Sequence, residues 1–226
     1  MTSRRPEQLA PGPRLASVHR LPLAGADDAA LARAAASGAP GAPEAVWDRF
    51  SPMVRRVLRR SMGPGAEVED LVQEVFLSFF RQVRELRDPA AVESFFFGIA
   101  IRVARAEIRK RRVRRWLRLT DDGALPEEIE APAEDAEARE AIARLYAILD
   151  QSDAEGRLAF VLRHIEGLEL PDVAEALGVS LATAKRRLAR VSARILAAAA
   201  KDPVLRAYVQ ARPAATADEG GPGGRR

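Results

Sequence analysis

The 226-residue chain predicts an all-α fold of two small helical domains. Three observations lead there. Ala, Leu, Val, Arg and Glu dominate while Tyr and Trp number two each, a composition that favours helices over sheets. Apolar residues recur at helical spacing in two blocks, roughly 44–118 and 138–210. Between the blocks lies a Pro-containing acidic stretch, and a hydrophobic share of 47% is ample for buried cores on either side of it.

Residues 1–43 read as a mobile leader, because prolines at 6, 11, 13, 22, 40 and 43 interrupt any helical period; one helix from Asp27 to Ser37 is expected within it. The first block opens with Val46, Phe50, Met53, Val54, Val57, Leu58 and Met62 along one side of a helical path, where Pro52 predicts a break or a restart capped by Ser51. Gly63, Pro64 and Gly65 make a turn. A helix from about Glu67 to Val83 then buries Val68, Leu71, Val72, Val75, Phe76 and Phe79, and its opposite face carries Asp70, Gln73, Glu74 and Leu77. After a loop around Asp88 and Pro89, a long helix from about Val92 to Leu117 starts apolar and ends in a run of arginines.

Residues 119–137 form the acidic linker, with Asp121, Asp122, Glu127, Glu128, Glu130, Glu134, Asp135 and Glu137 accumulating without a basic residue. The second block puts Ile142, Leu145, Tyr146 and Leu149 on one helix, and Leu158, Phe160, Val161, Leu162 and Ile165 on another that Gly167 ends. Two shorter helices, Pro171 to Leu177 and Leu181 to about Ala199, flank Gly178, Val179 and Ser180 in the form of a helix-turn-helix. The tail at 211–226 is rich in small residues and is expected to be disordered.

The helix-turn-helix is the strongest functional signal. Val173, Ala174 and Leu177 pack inward, Gly178 permits the tight turn, Val179 fills the junction and Ser180 caps the next helix. That helix presents Thr183, Lys185, Arg186, Arg187 and Arg190, polar and basic groups suited to the edges and phosphates of a DNA major groove. On the long helix, Arg102, Arg105, Arg109 and Arg112 recur at steps of three and four, a stripe able to follow a phosphate backbone. Phe95, Phe96 and Phe97 precede the stripe; aromatics there could stack unpaired bases, although three in succession are more often core. Asp70, Gln73 and Glu74 share a face without a histidine or third carboxylate at matching spacing, so a solvated or docking face is favoured over acid–base chemistry, and Leu77, apolar on the same polar side, favours docking.

Composition narrows the function classes. Cysteine is absent, which excludes disulfides, thiolate zinc sites and cysteine nucleophiles. The net charge of +4 is modest, but arginine dominates the basic side and the isoelectric point is about 10.0, compatible with an anionic partner. The Arg-containing start lacks a signal-peptide apolar core and no apolar run reaches membrane-spanning length, so no membrane insertion and a cytoplasmic location are expected. No phosphate-binding loop, nucleophile–base pair or metal cluster is visible, so neither an enzyme nor a cofactor is expected. His164 reads as a structural histidine on an apolar-rich helix.

Taken in order, these segments resemble an extracytoplasmic-function (ECF) sigma factor of the sigma-70 family, the compact class that keeps sigma regions 2 and 4. VEDLVQEVFLSFF, residues 68–80, is similar to the family's core-polymerase-binding helix; the resemblance implies that Asp70, Gln73, Glu74 and Leu77 dock on RNA polymerase. SFFFGIAIRVARAEIRKRR, from Ser94, resembles the helix that melts and reads the minus-ten element, implying roles for Phe95, Phe96, Arg102, Arg105, Arg109 and Arg112. EGLELPDVAEALGVSLATAKRRLARV resembles the helix-turn-helix that reads the minus-thirty-five element, implying roles for Ser180, Thr183, Lys185, Arg186, Arg187 and Arg190. The partners implied are core RNA polymerase, promoter DNA as duplex and as melted non-template strand, and an anti-sigma inhibitor, which no residue identifies. The chain departs from the pattern at Arg102, usually asparagine, at Ala106, commonly aspartate, and at Phe95, usually tryptophan, which bears on base preference at the minus-ten element. The alternatives are a polymerase-independent repressor or activator, and an adaptor whose helical faces bind proteins.

Overall fold

A computed structural model describes residues 27–118 and 136–206. Every regular element among them is helical: α1 (Asp28–Ser37), α2 (Ala42–Met62), α3 (Glu69–Gln82), α4 (Val92–Arg118), α5 (Ala136–Leu149), α6 (Ala154–Phe160), α7 (Leu170–Leu177) and α8 (Leu181–Ala199). The first four form one domain and the last four the other. The expectations for residues 1–26, for the linker between 119 and 135 and for the tail lie outside the described residues.

The expected α1 is present, but it belongs to the first domain rather than to a leader. Asp27 caps it by accepting from the Ala30 N–H, Gly38 ends it in the left-handed conformation, and Leu31 and Ala32 are buried. Arg49 of α2 donates to both carboxylate oxygens of Asp28, at 2.6 and 3.2 Å. The prolines at 40 and 43 leave room for α1 because they lie beyond its end, and Pro43 sits in the first turn of α2, where its missing N–H costs nothing.

Pro52 does not break α2, contrary to expectation. It lies on the exposed side of the helix, while Val46, Phe50, Val54, Val57 and Leu58 on the other side are buried, and Ser51 is buried inside the helix rather than capping a restart. Burial of one continuous apolar face outweighs the single hydrogen bond that a proline forfeits.

α3 buries every residue expected of it from Leu71 to Phe79, and Val68 at its N-cap as well. Arg55 of α2 fixes its start by a bidentate pair with Glu69, at 2.9 and 3.0 Å. The core of this domain is aromatic. Phe96 of α4 stacks on Phe79 at 4.1 Å and on Phe50 at 4.8 Å between centroids, and Phe76 bridges Trp47 and Phe96.

In the second domain α6 is shorter than expected, because Val161–Ile165 widens into a π-helical turn before Gly167, at φ 78°, ends the segment. The wider turn keeps both Val161 and Leu162 buried. On α5 the buried face is centred on Ala141, Ile148 and Leu149, and Ile142 is 39% exposed instead of packed. The α7–α8 pair forms as expected, with Gly178 left-handed at φ 64° and Ser180 accepting from the Thr183 N–H at 3.3 Å.

Candidate nucleic-acid interface

The α7–α8 unit places its basic residues in two groups. Lys185, Arg186 and Arg190 stand exposed on α8, while Ala184 and Val191 are buried behind them. Ser180 and Thr183 are occupied with each other at the helix start, their hydroxyl oxygens 3.0 Å apart, so they shape the N-terminal turn. Arg187 departs from the expected face. It is half-buried, one guanidinium nitrogen is enclosed without a partner, and its charge acts on Glu155 and Arg105.

On α3, Asp70, Gln73, Glu74 and Leu77 form one exposed face as expected, with Leu77 57% exposed. An apolar side chain left open among carboxylates and an amide suits a surface that meets another protein.

The α4 stripe is where the geometry adds most. Phe96 is fully buried in the aromatic core and has no face for a base, which corrects its assignment to DNA. Phe95 is half-buried at the edge of Phe79. Arg102, Arg109 and Arg112 are exposed and Arg105 is half-buried, and each borders or contacts the second domain. Arg105 donates to the Leu177 carbonyl at the end of α7, at 2.9 Å, and burial pushes it below the ordinary arginine value, Glu155 opposing and Arg109, Arg187 and Arg102 adding to the push. Arg109 is paired with Glu155 of α6. Burial works against charge on Glu155, but its own backbone N–H and Arg109 outweigh that and hold it below the usual carboxylate range. Arg102, with Phe97, lines a cleft of about 610 Å³ that Glu166, Leu168, Asp172 and Ala176 close from the other side. Arg112 borders a small crevice beside Asp150, Ser152 and Arg157.

Sequence reasoning passed over Arg157, the centre of this contact. It is 3% exposed, and its guanidinium donates to the carbonyls of Ser61, at 2.9 Å, and Met62, at 2.6 Å, and to the Asp150 carboxylate. Tyr146, whose ring lies 5.4 Å from that guanidinium, donates its hydroxyl to the Arg60 carbonyl at 2.6 Å. The last carbonyls of α2 therefore find their partners in the other domain, a cation standing at the negative end of the helix. Burial pushes Arg157 below the ordinary arginine value, and Asp150 opposes the shift. A lone arginine between Gly156 and Leu158 in an otherwise apolar stretch was the available signal.

Among the described residues no helix is long and apolar enough to cross a membrane. Family models match two segments: Sigma-70 region 2 over residues 46–114 and Sigma-70, region 4 over 142–195. The ECF RNA polymerase sigma factor SigE of Mycolicibacterium smegmatis is 33% identical over 64% of this chain and 58% of its own length. RNA polymerase sigma factor SigV of Bacillus subtilis is 31% identical over 54% of this chain and 69% of its own. A solved structure, that of CnrH in complex with the cytosolic domain of CnrY, superposes with a TM-score of 0.50 at 24% identity, covering 81% of this chain and 97% of that one, and shows the shared fold. Region 2 on α2–α4 and region 4 on α5–α8, in that order, make this chain a member of the sigma-70 family, in its ECF class.

Proposed function

We propose that this sigma factor, which directs promoter-dependent transcription initiation by RNA polymerase, divides the task among three surfaces. The exposed face of α3, with Asp70, Gln73, Glu74 and Leu77, docks on core polymerase. The arginine stripe of α4, with Arg102, Arg105, Arg109 and Arg112 and with Phe95 at its head, holds the minus-ten region and its melted strand. The N-terminal half of α8, with Lys185, Arg186 and Arg190, enters the major groove at the minus-thirty-five element, Ser180 and Thr183 shaping its first turn. The chain works in the cytoplasm, where core polymerase and DNA meet.

The observation that supports this most is the capped helix-turn-helix, because an N-terminal turn fixed by Gly178 and Ser180 points its exposed basic residues in one direction. Phosphate contacts would position the module and base-edge contacts would specify its site. Covalent chemistry is not required of this chain for that task.

The test is to add the purified protein to sigma-free core RNA polymerase and to run transcription on fragmented genomic DNA from the source organism. A stable complex with discrete start sites, lost on reversal of Asp70 and Glu74 to Lys, is expected. No complex, together with tight duplex binding by the protein alone, would overturn the reading in favour of a polymerase-independent repressor or activator.

A further inference from the structure

The C-terminal end of α4 contributes nothing to a core. Ile108 is the last buried residue of the helix, and every side chain from Arg112 to Leu117 is exposed. Charge there is unevenly neutralised. Arg111 and Arg114 pair with Glu107 at 2.9 and 3.2 Å, and Arg115 meets Asp150 at 2.9 Å, whereas Arg112 forms no ion pair among the described residues. One turn beyond Arg112 stands Trp116, 72% exposed, with Val113 beside it at 57%. An arginine at a helix C-terminus needs no partner, because it answers the helix dipole; an exposed indole serves neither the dipole nor the core.

Trp116 lies on the line of the arginine stripe. Positions 102, 105, 109, 112 and 116 advance by alternate steps of three and four, so at 3.6 residues per turn they keep within about 40° of one line over about 21 Å of helix axis. The match to region 2 ends at residue 114, so that likeness assigns Trp116 no role. We propose that Trp116 is a base-stacking residue for single-stranded DNA, placed where a strand running along the α4 arginines ends its contact. The inference rests on the assignment of the α4 stripe to DNA. Phosphates go to the exposed guanidinium groups of Arg102, Arg109 and Arg112, and the face of an unpaired base goes to the indole. The chemistry favours this occupant over two others. A lipid surface takes a helix face that is apolar along its length, and here four of the five positions on the face are arginine. The centre of a protein interface is depleted of charge, and this face is not. A paired base offers its faces only to its neighbours in the stack, so the ring distinguishes melted from duplex DNA.

The chain has two tryptophans, so Trp47→Phe leaves Trp116 as the only indole reporter. Titrating that full-length variant with oligothymidine at low salt is expected to quench its emission, and titrating it with a closed hairpin duplex to leave the emission unchanged. In fluorescence anisotropy, Trp116→Ala in the otherwise unaltered chain lowers the affinity for labelled oligothymidine by about tenfold, the loss of one stacked base, and Trp116→Phe recovers most of it. Trp116→Ala leaves the salt dependence of binding as it was, whereas Arg112→Gln makes it shallower, because only the arginine releases a phosphate counterion. Both positions are exposed, so neither change disturbs a core. Emission that stays constant up to saturating oligothymidine overturns the proposal, as does a failure of the unaltered chain to bind oligothymidine at all. So does an equal loss of single-strand and duplex affinity in Trp116→Ala, and so does a quench given only by vesicles of anionic phospholipid. If Arg112→Gln weakens binding and Trp116→Ala does not, the stripe keeps its assignment and the stacking residue loses its own, so the two failures are distinguishable.

Discussion

The two domains reach stability by different routes. The first has an aromatic centre of its own, in which Phe50, Phe76, Phe79 and Phe96 stack between three helices. The second has only small separate clusters, Ala141, Ile148 and Leu205 in one and Leu149, Val161 and Val191 in another. Most of its remaining buried apolar residues belong to the cluster that begins in the first domain. Region 2 is thus a platform and region 4 leans on it, which makes region 4 the domain more sensitive to the contact between them.

Truncation at the centre of the platform is the strongest way to break that comparison. Phe79→Ala removes a fully buried ring that contacts Phe80, Phe95 and Phe96, or about 3–5 kcal/mol. Urea unfolding followed by the fluorescence of Trp47, which packs 4.6 Å from Phe76, should show the loss, and helical signal from both domains should fall in one transition because the cluster is shared. Gly63→Ala strikes the contact rather than the platform. It forces a side chain into a positive φ and against Tyr146, at about 1–3 kcal/mol, and the expected result is a lower unfolding midpoint with a more protease-sensitive region 4.

Smaller changes sharpen the contrast within each domain. Ser180→Ala removes the cap of α8 and should lower stability by about 1 kcal/mol, seen as faster amide exchange at Thr183 and in the first turn of α8. Leu77→Ala touches neither core and should alter the unfolding free energy by no more than about 0.5 kcal/mol, while binding to core polymerase weakens in a pull-down titration.

Local features were legible in the sequence and long-range ones were not. The buried face of α3 followed from a 3.6-residue period, and the α7–α8 turn from Gly178 and Ser180, because each signal lies within a few residues of the structure it dictates. Pro52 misled because its local penalty was weighed without the apolar face that overrides it. Phe96 was assigned to DNA because proximity to arginines cannot distinguish a stacking face from a core face. Arg157 went unread because its acceptors are backbone carbonyls almost a hundred residues upstream, at separations of 96 and 95, and carbonyls leave no residue type to search for.

The same feature bears on how the contact endures substitution. What Arg157 recognises at the end of α2 is backbone alone. Every amino acid at 60, 61 or 62 offers the same carbonyl, so a substitution there that still fits its surroundings keeps the acceptors, whereas only a planar five-donor group suits the place of Arg157. Paired changes between α2 and α6, the usual footprint of two surfaces evolving together, should therefore be missing at this contact, and invariance at a single position should stand in their place.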